Sequence, residues 1–207
     1  MIIERIPAGI YAANCFVIGC EETKKAAVID PGGDAEDIIK YIDEHELELQ
    51  YILLTHGHGD HIGGVVEIKA KKEVPVLIHE DDAFMLQNAN KNLSKLMSGP
   101  DIELIADRLL RGGEIIELGA LALHISHTPG HTPGGICIKV EDCLFTGDTL
   151  FANSIGRTDF EGGSFEKIID SIKSKLLIYD DETKVFPGHG PASTIGRERV
   201  SNPFINR

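Results

Sequence analysis

The chain has 207 residues, 42% of them hydrophobic and 26% charged, which suits a globular protein with a core of useful size and excludes both a disordered segment and a disulfide scaffold. Its 20 Lys and Arg against 33 Asp and Glu give a formal charge of -13, which opposes nonspecific attraction to nucleic acid or an anionic membrane. The opening MIIERIPAG lacks a basic stretch leading into an apolar run, and no segment approaches about eighteen continuous apolar residues, so neither a secretion signal nor a membrane span is expected.

In chain order, residues 14–19 (NCFVIG) and 25–33 (KAAVIDPGG) predict two strands joined by the polar turn CEETK. Asp30-Pro31-Gly32-Gly33 then turns the chain into a helix beginning near Asp34 or Ala35, with Ile38, Ile39 and Ile42 on its apolar side. YILLTH predicts a strand that stops where polar residues begin, 62–70 a short helix, and 75–79 another strand. Strands connected by helices imply parallel pairing. Residues 81–98 read as helical or irregular. From 113 onward EIIELG, LALHISHT, GGICIKV and CLFTGD are closely spaced strands, so a mixed α/β fold with two sheets is expected. Ser164 is placed to cap a helix running through Ile168 and Ile169, and TKVFPGHG again leads a strand straight into a histidine. Strands ending in histidine loops in both halves predict a pseudo-symmetric architecture with one site between them.

The four cysteines, Cys15, Cys20, Cys137 and Cys143, form no CxxC pair, and three of them sit inside apolar strand segments. Reduced core thiols and a cytoplasmic location are the expectation.

The chemistry concentrates in THGHGDHIGG, residues 55–64, where His56, His58, Asp60 and His61 crowd into six positions. Side chains of this kind are costly to bury without a partner, and imidazole and carboxylate are the ligands of borderline and harder divalent ions. His131 in HTPGHTPGG, Asp148 at the end of LFTGD and His189 in FPGHG each lie in a glycine-bearing loop that follows a strand. Seven such residues suffice for two adjacent metals. His56, His58 and His131 are assigned to one ion, Asp60, His61 and His189 to the other, and Asp148 to a bridge between them; Asp60 and Asp148 are the carboxylates expected to serve catalysis. Zinc is the first expectation for both ions, with iron or manganese as substitutes. His127 is expected to orient a ligand from behind, whereas His45, His79 and His124 show no comparable clustering. No phosphate loop, dinucleotide fingerprint or GxSxG elbow occurs, so ATP, NAD and serine chemistry find no support. Two adjacent ions that activate water and polarise a carbonyl make hydrolysis the economical outcome.

The combination THGHGDHIGG, GHTPGG, FTGD and FPGHG resembles the metallo-β-lactamase-fold superfamily over nearly the whole chain. That resemblance implies one domain, 1–207, built as a four-layer αβ/βα sandwich with the metal site at one edge of the sheets, and it implies the same ligand set. HTPGHTPG, SIGRTDFEGGS and GHGPASTIGRERVSNPF are most similar to small glyoxalase II-related proteins. The implied activity is hydrolysis of an acyl thioester, with S-D-lactoylglutathione giving D-lactate and glutathione as the type reaction, and the implied partner is a small-molecule thioester. Full-length glyoxalase II adds a C-terminal helical region that grips glutathione, where here 18 residues follow His189. It also carries Gly-Lys-Phe-Tyr where this chain has Gly156-Arg157-Thr158-Asp159. Arg157 is thus a candidate for substrate binding, with a loop-anchoring salt bridge as its alternative, and weaker dependence on glutathione is expected. Persulfide dioxygenases share the metal motifs and a GRTDF-like segment; in that reading one iron would sit on His56, His131 and Asp148. A noncatalytic metal-binding regulatory protein is the third reading.

Overall fold

The computed structural model describes residues 1–206. Two six-stranded sheets make its centre. The first contains β1 (Ile2–Ala8), β2 (Ala13–Gly19), β3 (Lys25–Ile29), β4 (Glu48–Leu53), β5 (Val76–His79) and β6 (Arg108–Leu110), in that spatial order. β1, β2 and β3 pair antiparallel, and β3 to β6 pair parallel. The parallel crossovers from β3 to β4 and from β4 to β5 carry helices, α1 (Ala35–Glu44) in one and α2 (Gly59–Ile62) with α3 (Val65–Lys72) in the other, as parallel pairing requires. A short α4 (Ala83–Leu86) lies in the irregular stretch before β6.

The second sheet takes β7 (Ile115–Leu118), β8 (Leu121–His127), β9 (Ile136–Val140) and β10 (Cys143–Gly147) as an antiparallel meander. β13 (Lys184–Pro187) adds parallel to β10, and β14 (Ser193–Thr194) closes the edge. A small hairpin, β11 (Leu150–Phe151) with β12 (Ser154–Ile155), stands over the rim. Helices α5 (Phe165–Ser171) and α6 (Ile195–Ser201) flank this sheet. The layers therefore run αβ/βα, as the motifs implied. No helix among the described residues is long and apolar enough to cross a membrane.

Alternation along the strands explains their unbroken apolar runs. In β2, Cys15 and Val17 face the helix-side core with Ile38, Ile42 and Ile68, while Phe16 and Ile18 face the core between the sheets. In the other sheet, Phe145 of β10 points inward between the sheets and Leu144 points out toward α5 with Cys137. Strands covered on both faces need apolar residues at both parities. All four cysteines are free and buried among these layers. Phe16, Phe145 and Phe186 join the two sheets, with ring centroids 5.1 to 5.6 Å apart.

Two details depart from the expectations above. β1 and β6, both edge strands, had no clear signal; β1 contains Pro7, which an edge tolerates. The helix expected over 62–70 is two helices broken at Gly63-Gly64. The break is steric: a Cβ at Gly63 would stand 2.3 Å from the carbonyl oxygen of Gly32, and one at Gly32 would stand 2.0 Å from that of Asp60. The segments DPGG and GDHIGG thus pack backbone on backbone, fastened by Gly64 N–H donating to Pro31 O at 2.7 Å. Other local readings hold: α1 starts at Ala35, behind Asp34, whose carboxylate accepts from Gly9 N–H at 2.8 Å, and Ser164 caps α5, accepting from Lys167 N–H at 3.3 Å.

Phe145→Ala is expected to lower unfolding free energy by about 3–5 kcal/mol, because a large ring shared by both sheets leaves a cavity that neither sheet can close alone. Denaturant unfolding would check it, and a loss under about 1 kcal/mol would show the sheet contact to be dispensable.

Candidate metal centre

All seven predicted ligands meet at one edge of the two sheets. His56 and His58 lie in the loop after β4, Asp60 and His61 on α2, His131 between β8 and β9, Asp148 just after β10, and His189 just after β13. The ligand atoms of His56, His58 and His131 lie within 4.8 Å of one another, and so do those of Asp60, His61 and His189. Between these triads, Asp148 Oδ1 is 3.5 Å from His61 Nε2, while Oδ2 is 3.6 Å from His131 Nε2 and 3.9 Å from His189 Nε2.

The rings are aimed by partners behind them. Asp30 is buried at the end of β3 and accepts from Thr55 N–H at 2.7 Å, from the Thr55 hydroxyl at 2.5 Å and from His61 Nδ1 at 3.1 Å. With its proton committed to Asp30, the Thr55 hydroxyl accepts from His56 Nδ1 at 3.1 Å. His131 Nδ1 donates to the Arg157 carbonyl at 2.7 Å. In each ring the outer nitrogen is bonded away from the centre, so Nε2 is left facing inward.

What faces inward is unsatisfied. His56 Nε2 and Asp148 Oδ1 are buried with no hydrogen-bond partner, a costly state for polar atoms. His58 Nδ1 and His131 Nε2 stand 2.9 Å apart, and His61 Nε2 and His189 Nε2 3.3 Å apart. Nitrogen lone pairs converging with two carboxylates fit a divalent cation.

The charges agree. Burial lowers the His56 pKa well below its usual value, reinforced by His61 and His131, and pushes His58 down to about 3, so both favour the neutral form that binds a metal. His131 is lowered by burial too, against the pull of Asp148. Burial opposes ionisation of Asp60, but the hydrogen bond to His189 and the charge of His61 outweigh it and hold the carboxyl below the usual range. His61 differs: burial works against its charge, yet Asp148, Asp30 and Asp60 raise it to about 10. The three carboxylates around His61 thus favour positive charge at this position, the kind of charge a bound cation would supply.

Gly188 keeps the centre open. A Cβ there would stand 2.4 Å from Asp148 Oδ1 and 2.7 Å from His61 Cε1.

Two expectations change. His127 does not steady a ligand ring; its Nε2 donates to the Pro133 carbonyl at 2.9 Å and its ring stacks on His79 at 3.9 Å, so it braces the loop that carries His131. His79, Asp81 and His127 form their own small cluster. The Arg157 side chain forks onto Asp159 at 2.9 and 2.8 Å and lies over the Phe160 ring, so its loop-anchoring alternative is the one present, while its carbonyl serves His131. The sequence reading also passed over Asp30, taken as a turn residue, and Asp82. Fully buried Asp82 accepts from Gly57 N–H, the Thr132 hydroxyl and Gly134 N–H, tying the loop of His56 and His58 to the loop of His131. Burial pushes its carboxyl up to about 6 despite those three donors. A strand running directly into Asp, as in VIDPGG and LFTGD alike, was the signal available for Asp30.

The family model described as the metallo-beta-lactamase superfamily matches residues 8–189. The chain belongs to the metallo-β-lactamase superfamily. Among members of this superfamily, it is 42% identical to the hydroxyacylglutathione hydrolase GloC of Haemophilus influenzae, over 100% of this chain and 99% of that one. It superposes on the crystal structure of the BLEG-1 B3 metallo-beta-lactamase with a TM-score of 0.94 at 38% identity, covering 100% of both chains. TTHA1623, solved in a di-iron-bound form, gives a TM-score of 0.86 at 31% identity, covering 97% of this chain and 99% of that one.

In this member of the superfamily, Asp30→Asn should weaken divalent-metal affinity by about ten- to a hundredfold, since an amide has one acceptor oxygen and cannot take all three donors, so that its NH2 faces either the Thr55 N–H or the donors from the Thr55 hydroxyl and His61. Chelator competition would measure it. Unchanged affinity would mean that the ligands hold their own orientation.

Proposed function

We propose that the chain is a metal-dependent hydrolase of acyl thioesters. His56, His58 and His131 would hold one divalent ion and Asp60, His61 and His189 a second, with Asp148 between them; zinc, iron and manganese all suit these donors. The observation that carries the reading is the pair of buried orphans, His56 Nε2 and Asp148 Oδ1, facing the same centre. When bound, such ions make water a nucleophile near neutral pH and polarise a carbonyl.

The rest falls to the chain itself. Asp30, Thr55 and the Arg157 carbonyl keep three Nε2 atoms turned inward, so no reorientation is needed when substrate arrives. A cleft of about 610 Å³ opens over His58, Asp60, His131, Asp148 and His189 and brings the substrate to them. Apart from those five, its polar lining groups are Ser154, Arg157, which is engaged by Asp159, and the hydroxyl of Tyr11, a residue 56% exposed to solvent. The cleft therefore offers little to protonate a leaving group. A thiol, with pKa ≈ 8.5, departs as its anion without such help, whereas an amine does not. That asymmetry favours thioesters over peptides. The likeness to a hydroxyacylglutathione hydrolase makes S-D-lactoylglutathione the first substrate to try, and the likeness to BLEG-1 makes a β-lactam the comparison.

Elemental analysis should find two first-row ions per chain, with thioester hydrolysis rising as the second is added. Asp148→Asn should cut turnover by more than about a hundredfold at matched metal content, beyond what the loss of an outer partner such as Asp30 costs. Full activity with one ion would remove the dinuclear mechanism. No thioester hydrolysis, with oxygen uptake on a persulfide by the iron-loaded protein, would favour a mononuclear dioxygenase using His56, His131 and Asp148.

A further inference from the structure

Resting on the thioesterase reading, we propose that the outer part of the cleft selects its thioester through an apolar, uncharged arm, and that a carboxylate-bearing thiol such as glutathione gains little there. Nine lining residues are not candidate metal ligands, and seven of them are apolar or aromatic. Tyr11, Leu93, Leu96 and Met97 are contributed by the loops after β1 and after α4, and Phe151 and Phe160 by the hairpin side. Several face water directly: Leu96 is 81% exposed and Tyr11 56%, with Ile10 beside it at 57%. Apolar surface left open beside a reactive centre gains free energy when an apolar group covers it.

The charge pattern points the same way. Glutathione offers two carboxylates and one ammonium, a net negative handle. The single cationic residue in the lining is Arg157, and both carboxylate oxygens of Asp159 already occupy its fork. A partner two residues away along the same chain is at high effective concentration, so an incoming carboxylate must displace it for no net gain in ion pairing. Just past Phe160, the Lys91 ammonium is likewise paired, with Glu161 at 2.5 Å. Asp60 and Asp148 at the floor and the overall charge of -13 add no attraction for an anionic arm.

The test uses the metal-loaded protein and thioethers that cannot be cleaved, so that recognition is read apart from turnover. Calorimetry would compare S-methyl with S-hexyl derivatives of both N-acetylcysteamine and glutathione. Each methylene covered should tighten binding about two- to fourfold, so the S-hexyl compound should exceed the S-methyl one by about tenfold or more in both series. Exchanging N-acetylcysteamine for glutathione should change Kd by less than about threefold, and Arg157→Ala should leave that ratio within about twofold. Leu96→Asp, at an exposed position where the fold has little at stake, should remove most of the hexyl gain. Binding indifferent to chain length overturns the proposal. So does a glutathione preference of about tenfold that collapses in Arg157→Ala, which would show the guanidinium released from Asp159 to the substrate. Failure of the catalytic reading shows separately, as absence of hydrolysis of every thioester by the loaded enzyme while the thioether ranking stands.

Discussion

One buried carboxylate organises this end of the molecule. Asp30 sits just past the end of β3 with φ at +50°, a left-handed conformation that Asp tolerates better than most residues because its short polar side chain bonds locally. The turn points its side chain across β4, where it takes the backbone and hydroxyl protons of Thr55 and one ring proton of His61. Two parallel strand ends, one threonine and two imidazoles are thereby fixed by four hydrogen bonds, the fourth running from His56 Nδ1 to the Thr55 hydroxyl. A buried charge with several donors is stable only while all of them stay, so strand ends and rings move together or not at all.

Around that anchor, the two halves of the fold contribute unlike things. The parallel half brings four ligands on one short piece of chain, and its rigidity comes from backbone lying on backbone at Gly32 and Gly63. The antiparallel half brings His131, Asp148 and His189 from three separate strand ends, and the register of β10 with β13 and of β8 with β9 sets their spacing. Asp82 spans the divide, bonding Gly57 on one side and Thr132 and Gly134 on the other. The inter-sheet phenylalanines hold the same two halves in register from within.

The convergence of the seven residues was legible because His56, His58, Asp60 and His61 crowd into one short loop, and the recurring pattern of a strand running into a His or Asp carried His131, Asp148 and His189 along. Parallel and hairpin regions were legible from the spacing of apolar runs. The outer partners were not. Asp30 and Asp82 are read in sequence as turn and loop acids, and only the crossing of distant segments turns them into hydrogen-bond hubs. Local pattern also failed at β1 and β6, whose edge positions demand little hydrophobicity, and at 62–70, where a helical sequence is broken by contact with a loop some thirty residues away. His127 and His131 share the same HTPG surroundings; the difference between them lies in which way the loop after β8 turns.

The backbone-on-backbone seam at Gly32 and Gly63 also divides the chain by how freely it can diverge. Where main chains touch with no room for a Cβ, substitution has nowhere to go, so the ligand platform is confined to nearly one solution. Tyr11 and Leu96, by contrast, line the cleft at exposed positions, whereas the stretch 151–161 also carries the Arg157 carbonyl that aims the His131 ring. Chemistry and the exposed rim of the cleft therefore reside on different residues, the first frozen by sterics and the second open to drift. A scaffold divided in this way can change what it accepts through a few exposed residues while the machinery that acts on it stays untouched, which makes positions such as Tyr11 and Leu96 the natural place for exchange between relatives.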